Sequence, residues 1–283
     1  MAEGFLQVLG LMRWSYPSDP AAFDQEASSL EAIRAELYAE ARLEERMFYL
    51  ETMILPCLAA QTDKNFKVVM LMGNELPERW RVKVLEAVSL VPQVVPVFEE
   101  EGQKHRLVCR AVMMEHRNSR AAAVAEFRMD DDDALSLDFV AEVRRYYRRH
   151  RGLVDARGRM ALDFTQGFAM DFRGDAVTIH PIYAQLWVAA MALIYPPTHP
   201  RSLIDYPHKG VWKAMPTISI PGGPSWLRGV HGTNDSGIGD THFSPHAWEF
   251  NLAEAEEMLL ERFGIDWPHL QSAWAEFCAR VAA

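Results

Sequence analysis

The clearest indication of the fold is the sequence EFRMDDDDALSLDFV at residues 126–140. An apolar, strand-like run at 123–129 leads into four consecutive aspartates, and a helix-like segment at 137–149 follows them. Four adjacent like charges repel one another, so a folded chain must offer them cations, hydrogen-bond donors or open water. A loop at the carboxyl end of a strand is also where open α/β sheets bind ligands.

The sequence before the aspartates alternates between strand-like and helix-like segments. Strands are predicted at 5–11, 66–72, 91–98 and 123–129, and helices at 19–45, 44–60, 77–89 and 104–122. Fully apolar strands that follow helices are typical of a parallel sheet covered on both faces. Pro56 predicts a kink or an early end of the second helix. The alternation as a whole predicts a βαβ nucleotide-binding layout.

The second half of the sequence changes in character. Residues 160–183 read as a hairpin around Arg173–Gly174, and residues 196–247 are rich in Pro, Gly and His, which is typical of functional loops. Residues 252–282 are predicted to be helical with a break near Gly264. Since no internal repeat or low-complexity linker divides the chain, we expect one compact domain.

Composition restricts the class of protein. The 283 residues are 49% hydrophobic, and the formal net charge of −10 argues against a general nucleic-acid binder. Cys57, Cys109 and Cys278 are odd in number and far apart, which favours a reducing compartment with buried thiols. The longest apolar stretch, 186–195, is about half the ~20 residues of a membrane span, and we find no basic leader. We therefore expect a cytoplasmic protein.

Two interpretations of the aspartates follow from the residues themselves. In an extended loop the side chains of Asp130 and Asp132 project to the same side, so a hard cation such as Mg²⁺ or Mn²⁺ could join them to phosphate oxygens. The alternative is a solvated acidic turn in which Asp133 or Ser136 caps the following helix, with Asp138 in its first turn.

Several motifs resemble those of GT-A glycosyltransferases. LAAQTDKNFKVVML at 58–71 resembles their helix–QT–xxNF–strand segment, and RMDDDDALSLDFV at 128–140 is similar to their xDxDDxLxxDF segment. More narrowly, the chain resembles the bacterial family labelled "putative rhamnosyl transferases". That narrower likeness is carried by LPCLAAQTDKNF, ELP, FRMDDDDAL and WLRGVHGTNDS, and it extends over most of the chain.

The resemblance implies an α/β fold: a GT-A-like single domain, 1–283, with a mixed, mainly parallel central sheet and C-terminal helices. It implies a nucleotide-sugar-binding half at 1–135, an acceptor-binding and metal-completing half at 136–250, and helices at 251–283. The implied activity is transfer of a sugar, with rhamnose as one candidate, from a dTDP-, UDP- or GDP-sugar to a glycan or lipid acceptor.

The same resemblance implies roles for single residues. Asp132 would bind Mn²⁺ or Mg²⁺ on the donor diphosphate, and His231 would complete the metal site. Asp130 would lie on the donor side, near the ribose or the sugar, and Asp131 would also bind the donor. Arg228 could form a bidentate pair with phosphate oxygens, because its planar guanidinium matches their geometry.

Other donor-side candidates are Arg13, Arg128 and Asn74. Arg13 ends the first strand at the edge that carries the aspartates, and Arg128 either contacts the donor or serves as a structural partner of the acidic cluster. Many GT-A enzymes hold the base with acidic residues after the second strand, where this sequence has Met72–Gly73–Asn74. Base recognition is therefore open, with Asn74 or Glu75 as substitutes.

An inverting transfer requires a general base for the acceptor hydroxyl. Asp235 and Asp240 are the candidates, although Asp235 in NDSG also suits an Asx-turn, and a retaining mechanism needs no such base. His208 is a further acceptor-side candidate. Trp187, Trp212, Trp226 and Trp248 could stack on sugar rings, although tryptophan more often packs in the core.

Alternatives of other classes stay open at this point. One is a metal-dependent phosphoester hydrolase built on Asp130, Asp132 and His231, and another is a non-catalytic module that binds nucleotide sugars. The basic run RRYYRRHR at 144–151 is either a solvated helix face or a peripheral contact with anionic lipid on the inner membrane face.

Overall fold

The computed structural model describes residues 4–20, 29–232 and 251–281. Two β-sheets and the helices around them make up these ranges. The strands are β1 (Leu6–Arg13), β2 (Lys67–Gly73), β3 (Val94–Glu99), β4 (Ala123–Met129), β5 (Asp133–Leu135), β6 (Met160–Phe164), β7 (Gln166–Asp171), β8 (Thr178–Tyr183), β9 (Met191–Tyr195), β10 (Thr217–Ile220) and β11 (Trp226–Val230). The α-helices are α1 (Leu30–Leu37), α2 (Glu40–Tyr49), α3 (Leu55–Ala59), α4 (Glu78–Ser89), α5 (His105–Glu115), α6 (Phe139–Arg157), α7 (Leu252–Phe263) and α8 (Trp267–Val281).

The larger sheet has seven strands in the order β10-β6-β9-β4-β1-β2-β3. Only β9 runs against its two neighbours, and every other adjacent pair is parallel. The other six strands therefore end at one edge of the sheet, and the pairing of Met12 with Met129 brings Arg13 next to Asp130. This arrangement confirms the predicted α/β fold with a mixed, mainly parallel central sheet and carboxy-terminal helices.

The central strands are apolar on both faces because each face packs against helices. Along β1, Val8 and Met12 belong to one hydrophobic cluster, while Leu9 and Leu11 belong to a second cluster on the opposite face. The neighbouring strand requires a glycine at position 10, where a Cβ would lie 2.4 Å from the ring of Phe127.

The helix that contains Pro56 does not end there, so the predicted early end is wrong. A π-helical segment, Leu50–Ile54, joins α2 to α3, and the N–H of Leu55 donates to the carbonyl of Leu50, five residues back. Proline has no N–H to donate, and its ring clashes with the carbonyl four residues earlier. The wider π turn removes that conflict and lets the helix continue.

Other helix boundaries also differ from the prediction. The helix expected at 19–45 is interrupted between α1 and α2 at Tyr38–Ala39, and residues 21–28 lie outside the described ranges. Helix α5 ends at Glu115, seven residues before the predicted end at residue 122. Ser136 is not the N-cap of α6: Asp138 occupies that position, and the Ser136 hydroxyl donates to its carboxylate at 2.8 Å.

The second half contains more strands than the sequence predicted. The hairpin around Arg173–Gly174 is confirmed as the antiparallel pair β7–β8, but β6 leaves it to join the larger sheet. The smaller sheet has the order β5-β11-β7-β8, and β10 and β11 lie where only loops were expected. The break between α7 and α8 is confirmed at Gly264, which has a φ of 69°.

The remaining structural expectations concern thiols and membrane spans. Cys57, Cys109 and Cys278 are free thiols, and Cys57 and Cys109 are buried. Within the described residues, no helix combines the length and the apolar character that crossing a bilayer requires. The apolar stretch 186–195 ends in the buried strand β9.

Candidate active site

The four aspartates form a tight turn between β4 and β5. The N–H of Asp133 donates to the carbonyl of Asp130 at 3.3 Å, and the N–H of Asp130 donates to the carboxylate of Asp133 at 2.9 Å. The segment is therefore a turn and not the extended loop in which Asp130 and Asp132 would project to the same side. Each carboxylate has its own surroundings instead.

The QT of the quoted motif holds the far side of this turn. The buried Gln61 amide donates to the carbonyl of Ser136 at 2.7 Å and accepts from the N–H of Val140 at 3.2 Å. The next residue, Thr62, donates its N–H to the carbonyl of Leu137 at 2.7 Å. The end of α3 thereby fixes the chain where it leaves the acidic turn, which gives the motif a structural reason.

Asp130 and Asp131 each lie close to an arginine. Asp130 is the most exposed, with 49% of its side chain accessible, and it lies 4.0 Å from the Arg13 guanidinium. The carboxylate of Asp131 lies 3.2 Å from Nε of Arg46. Burial raises the pKa of Asp131, and the charge of Arg46 opposes that shift.

The other two are buried and differ in their preferred charge. Burial disfavours the anion of Asp132, but the hydrogen bond and charge of His231, followed by the charges of Arg46 and Arg228, outweigh it, so the pKa of Asp132 is lowered. Burial and the adjacent carboxylates raise the pKa of Asp133 well above its ordinary value. The turn thus holds a buried anion beside a carboxyl that resists ionisation.

Arg46 is a part of the site that the sequence analysis missed. Only 2% of its side chain is exposed, and it projects from α2 toward the acidic turn. A signal was available, because Arg46 lies three residues after Leu43 and four before Leu50, on the buried side of the helix. A charge on an apolar helix face indicates a buried partner.

His231 reaches Asp132 because β11 approaches the turn closely. Nε2 of His231 donates to the Asp132 carboxylate at 3.0 Å, and the side chains are 2% and 7% exposed. The N–H of Gly229 donates to the carbonyl of Asp132 at 2.9 Å, and a Cβ at that glycine would lie 2.7 Å from Cβ of Asp132. Glycine is therefore required for this contact.

The pair formed by Asp132 and His231 fits a divalent cation. A carboxylate and an imidazole suit Mn²⁺, and because the Asp132 oxygen and Nε2 of His231 lie 3.0 Å apart, one cation could contact both. Metal binding would displace the Nε2 proton. Among the described residues, no three His, Cys, Asp or Glu side chains come together as a complete metal site.

Basic side chains surround the acidic turn. Arg228 pairs with Asp133 in the β11–β5 register, and Arg128 precedes the turn on β4. Burial lowers the pKa of Arg128, with Asp130 opposing the shift. Burial also lowers the pKa of His105, and the charges of Arg13, Arg106 and Arg128 add to the effect. Arginine side chains that converge on one sheet edge are a common way to bind phosphate.

Asn74 lies at the same sheet edge as the aspartates but two strands away from them. It is exposed, and its N–H donates to the carbonyl of Glu99 at 2.9 Å. The preceding glycine has no room for a side chain, because a Cβ at Gly73 would lie 2.2 Å from the Glu101 carboxylate. The N–H of Glu75 donates to that carboxylate at 3.1 Å. The role of Asn74 or Glu75 in base recognition stays a prediction.

The two candidates for the general base, Asp235 and Asp240, lie outside the described residues. Their assignment stays a prediction. His208 is described, and its Nδ1 donates to the carbonyl of Leu186 at 2.6 Å. Burial lowers the pKa of His208, and the hydrogen bond to Leu186 opposes that shift.

The sequence matches a family model described as "Putative rhamnosyl transferase" over residues 7–240. The chain belongs to this family. By that membership it is a glycosyltransferase. The match begins in β1 and passes through the acidic turn and β11. A comparison with curated proteins finds no match.

The chain also shows a remote likeness to solved structures. It is 13% identical to S. aureus TarS 1-349 in complex with UDP, with a TM-score of 0.43, covering 98% of this chain and 71% of that one. A second structure of S. aureus TarS 1-349 gives 10% identity and a TM-score of 0.41, covering 79% of this chain and 60% of that one. At these values we infer no function from the likeness.

Proposed function

We propose that the protein transfers a sugar, with rhamnose as the first candidate, from a nucleoside-diphosphate sugar to a glycan or lipid acceptor, in a metal-dependent reaction. The observation that carries the proposal is the meeting of Asp132 and His231 at 3.0 Å in a turn surrounded by Arg13, Arg128 and Arg228. Family membership supports the reaction class.

The residues of the turn have separate tasks in this proposal. Asp132 and His231 would hold Mn²⁺ or Mg²⁺, which supplies positive charge to the leaving diphosphate. Arg228 and Arg13 donate hydrogen bonds to phosphate oxygens. The charge on the leaving diphosphate is thereby stabilised as its bond to the anomeric carbon breaks and the acceptor oxygen bonds to that carbon. Arg46, 3.2 Å from the Asp131 carboxylate, balances the charge of Asp131. Asp130 and Asp131 contribute to the donor side of the site.

The acceptor side depends on a base. We propose that Asp235 or Asp240 removes the proton from the acceptor hydroxyl in an inverting transfer. Asp235→Asn and Asp240→Asn should each be tested for donor binding and for transfer. The base is the residue whose variant binds the donor normally and no longer transfers the sugar.

Nucleotide release from a panel of UDP-, dTDP- and GDP-sugars with Mn²⁺, dTDP-rhamnose among them, tests the proposal. We expect release with one donor in the wild type and loss of that release in Asp132→Asn. Asp155→Asn is a matched control, because Asp155 is 65% exposed on α6 and pairs there with Arg151. Calorimetry with UDP, dTDP and GDP identifies the nucleobase that the donor site prefers.

The assay also distinguishes the alternatives. Cleavage of a simple phosphoester without release from any nucleotide sugar would assign a hydrolase. Tight metal-dependent nucleotide binding with neither activity would assign a binding module.

A lipid acceptor suggests a second, separate proposal, that the run 144–151 contacts anionic lipid. Arg144 does not take part, because it pairs with Asp63 at 2.7 Å and is 13% exposed. Arg148 and Arg149 are exposed on α6 and remain the candidates. Co-sedimentation with vesicles containing anionic lipid, compared with neutral vesicles, tests this contact.

A further inference from the structure

The loop between β8 and β9, residues 184–190, contains a strained residue at the carboxyl edge of the larger sheet. Leu186 has a φ of 59°, in the left-handed region that is unfavourable for a bulky side chain. Such a conformation is strained and persists only where the surroundings impose it. The structure shows what imposes it here.

Two side chains clamp the backbone of Leu186 from either side. The carboxylate of Asp163, which is fully buried, accepts the Leu186 N–H at 2.8 Å, and its other oxygen accepts from the Ser219 hydroxyl at 3.2 Å. Nδ1 of His208 donates to the Leu186 carbonyl at 2.6 Å. Both ends of the loop are also tied down: the N–H of Ala184 donates to the carbonyl of Thr165, between β6 and β7, at 2.9 Å, and the N–H of Phe164 in β6 donates to the carbonyl of Ala190 at 3.2 Å. The clamp therefore fixes the direction of the next residue, Trp187.

Trp187 is positioned between the core and the acidic turn. Its ring packs against the fully buried Trp226 at 5.2 Å, tilted by 35°. The guanidinium of Arg228 lies 4.9 Å from the Trp187 ring centre. Arg228 is also the residue opposite Asp133 in the β5–β11 pairing. One ring thus links a clamped loop to the arginine beside the acidic turn.

We propose that Trp187 is a positioning residue for Arg228. The hydrogen bonds of Asp163 and His208 to the Leu186 backbone hold the Trp187 ring against the Arg228 guanidinium. A guanidinium stacked on an indole keeps its plane fixed, so its edge N–H groups point in one direction. Beside a bound diphosphate, that fixed edge forms two parallel hydrogen bonds without first losing rotamer freedom. The inference rests on the proposed function, since it assigns Arg228 to the donor diphosphate.

A core role for Trp187 would give a different pattern of effects. If the ring served only to fill space against Trp226, a large aliphatic residue would replace it with little change in ligand binding. If it orients Arg228, an aromatic ring is required, and the requirement disappears once Arg228 is gone. The two roles are separated by a double-mutant cycle.

The experiment measures the affinity of the full chain for UDP, dTDP and GDP with Mn²⁺, together with the matching monophosphates. The variants are Trp187→Leu, Trp187→Phe, Arg228→Ala and the double variant Trp187→Leu/Arg228→Ala. Arg280→Ala is the matched control, because Arg280 also lies over a ring, that of Phe277 at 5.5 Å, on α8. Thermal unfolding of each variant verifies that it is folded.

We expect Trp187→Leu to weaken binding of the preferred diphosphate about three- to tenfold, with a smaller effect on the monophosphate. Trp187→Phe should stay within twofold of wild type, and so should Arg280→Ala. In the Arg228→Ala background, adding Trp187→Leu should change the affinity by less than twofold.

Four outcomes would overturn the inference. Unchanged diphosphate affinity in Trp187→Leu shows that the ring does not act on the site. Equal losses with and without Arg228 show that Trp187 acts by another route. A wild type that binds none of the three diphosphates refutes the proposed function, and the inference falls with it. If Trp187→Leu does not fold, a Trp187→Phe variant that binds more than tenfold more weakly contradicts the stacking role.

Discussion

Replacing Arg46 by methionine tests how the acidic turn is held. Methionine has a similar length and no charge, so the change removes the cation and leaves most of the packing of α2. In the wild type, Nε of Arg46 lies 3.2 Å from the carboxylate of Asp131, and the two side chains are 2% and 13% exposed. The variant leaves a nearly buried carboxylate without this partner.

The expected cost follows from the burial of the pair. Removing one partner of a buried ion pair destabilises proteins by about 3–5 kcal/mol, because the remaining charge stays out of water. For a chain of this length the entropy of unfolding is about 0.6 kcal/mol per degree, so the melting temperature should fall by about 5–8 °C. The same change at Arg79, which is 63% exposed and pairs with Glu40, should cost less than about 1 kcal/mol.

Thermal unfolding and urea unfolding of Arg46→Met, Arg79→Met and the double variant Arg46→Met/Asp131→Asn measure these costs. Neutralising Asp131 should recover most of the loss, because the stranded charge is then gone. A loss below about 1 kcal/mol in Arg46→Met, or a double variant no more stable than Arg46→Met, would refute the reasoning that Arg46 compensates the turn.

Two further predictions concern other parts of the site. Gly229→Ala should weaken metal-dependent nucleotide binding at least about tenfold in calorimetry, because the new Cβ would lie 2.7 Å from Cβ of Asp132. Gly152→Ala is the control, because a Cβ there meets nothing within 4 Å. It should leave binding unchanged and stabilise α6 by about 0.5–1 kcal/mol. Burial raises the pKa of Asp163 above 3.8, so the folded protein retains a proton that the unfolded chain loses between pH 3.8 and the raised value. Urea unfolding at pH 7 and pH 4 should therefore show the wild type gaining stability relative to Asp163→Asn as the pH falls, and a constant difference would contradict the shift.

The strands of the first half could be predicted because their signal is local. The apolar runs that became β1, β2 and β4 are bounded by turns, and their burial on both faces is visible in composition alone. Strand β11 was missed because WLRGV lies in a region rich in Gly and Pro. It is a strand through its pairing with β5 and β7, which are distant in sequence.

Part of the candidate site could also be predicted from the sequence. The position of Asp132 followed from its place after a strand, while His231 was associated with it through family resemblance. The structure joins the two across 99 residues by the pairing of β11 with β5. Arg46 escaped notice because EARLEERMFY reads as an ordinary charged helix. The spacing of Arg46 from Leu43 and Leu50 indicates that this charge faces inward, but it does not identify Asp131 as the partner.

The π-helical segment at Leu50–Ile54 sets the angular phase between the two ends of one long helix. Each residue of an α-helix advances the chain by about 100°, so the extra residue accommodated by the π turn rotates α2 by about that angle relative to α3. Gln61 beyond α3 holds the chain at Ser136, after the acidic turn, and Arg46 on α2 pairs with Asp131 within it. Without the inserted residue, a helix anchored by Gln61 would direct Arg46 away from Asp131. Deleting one residue within Leu50–Ile54 would therefore separate Arg46 from Asp131 although both residues are still present.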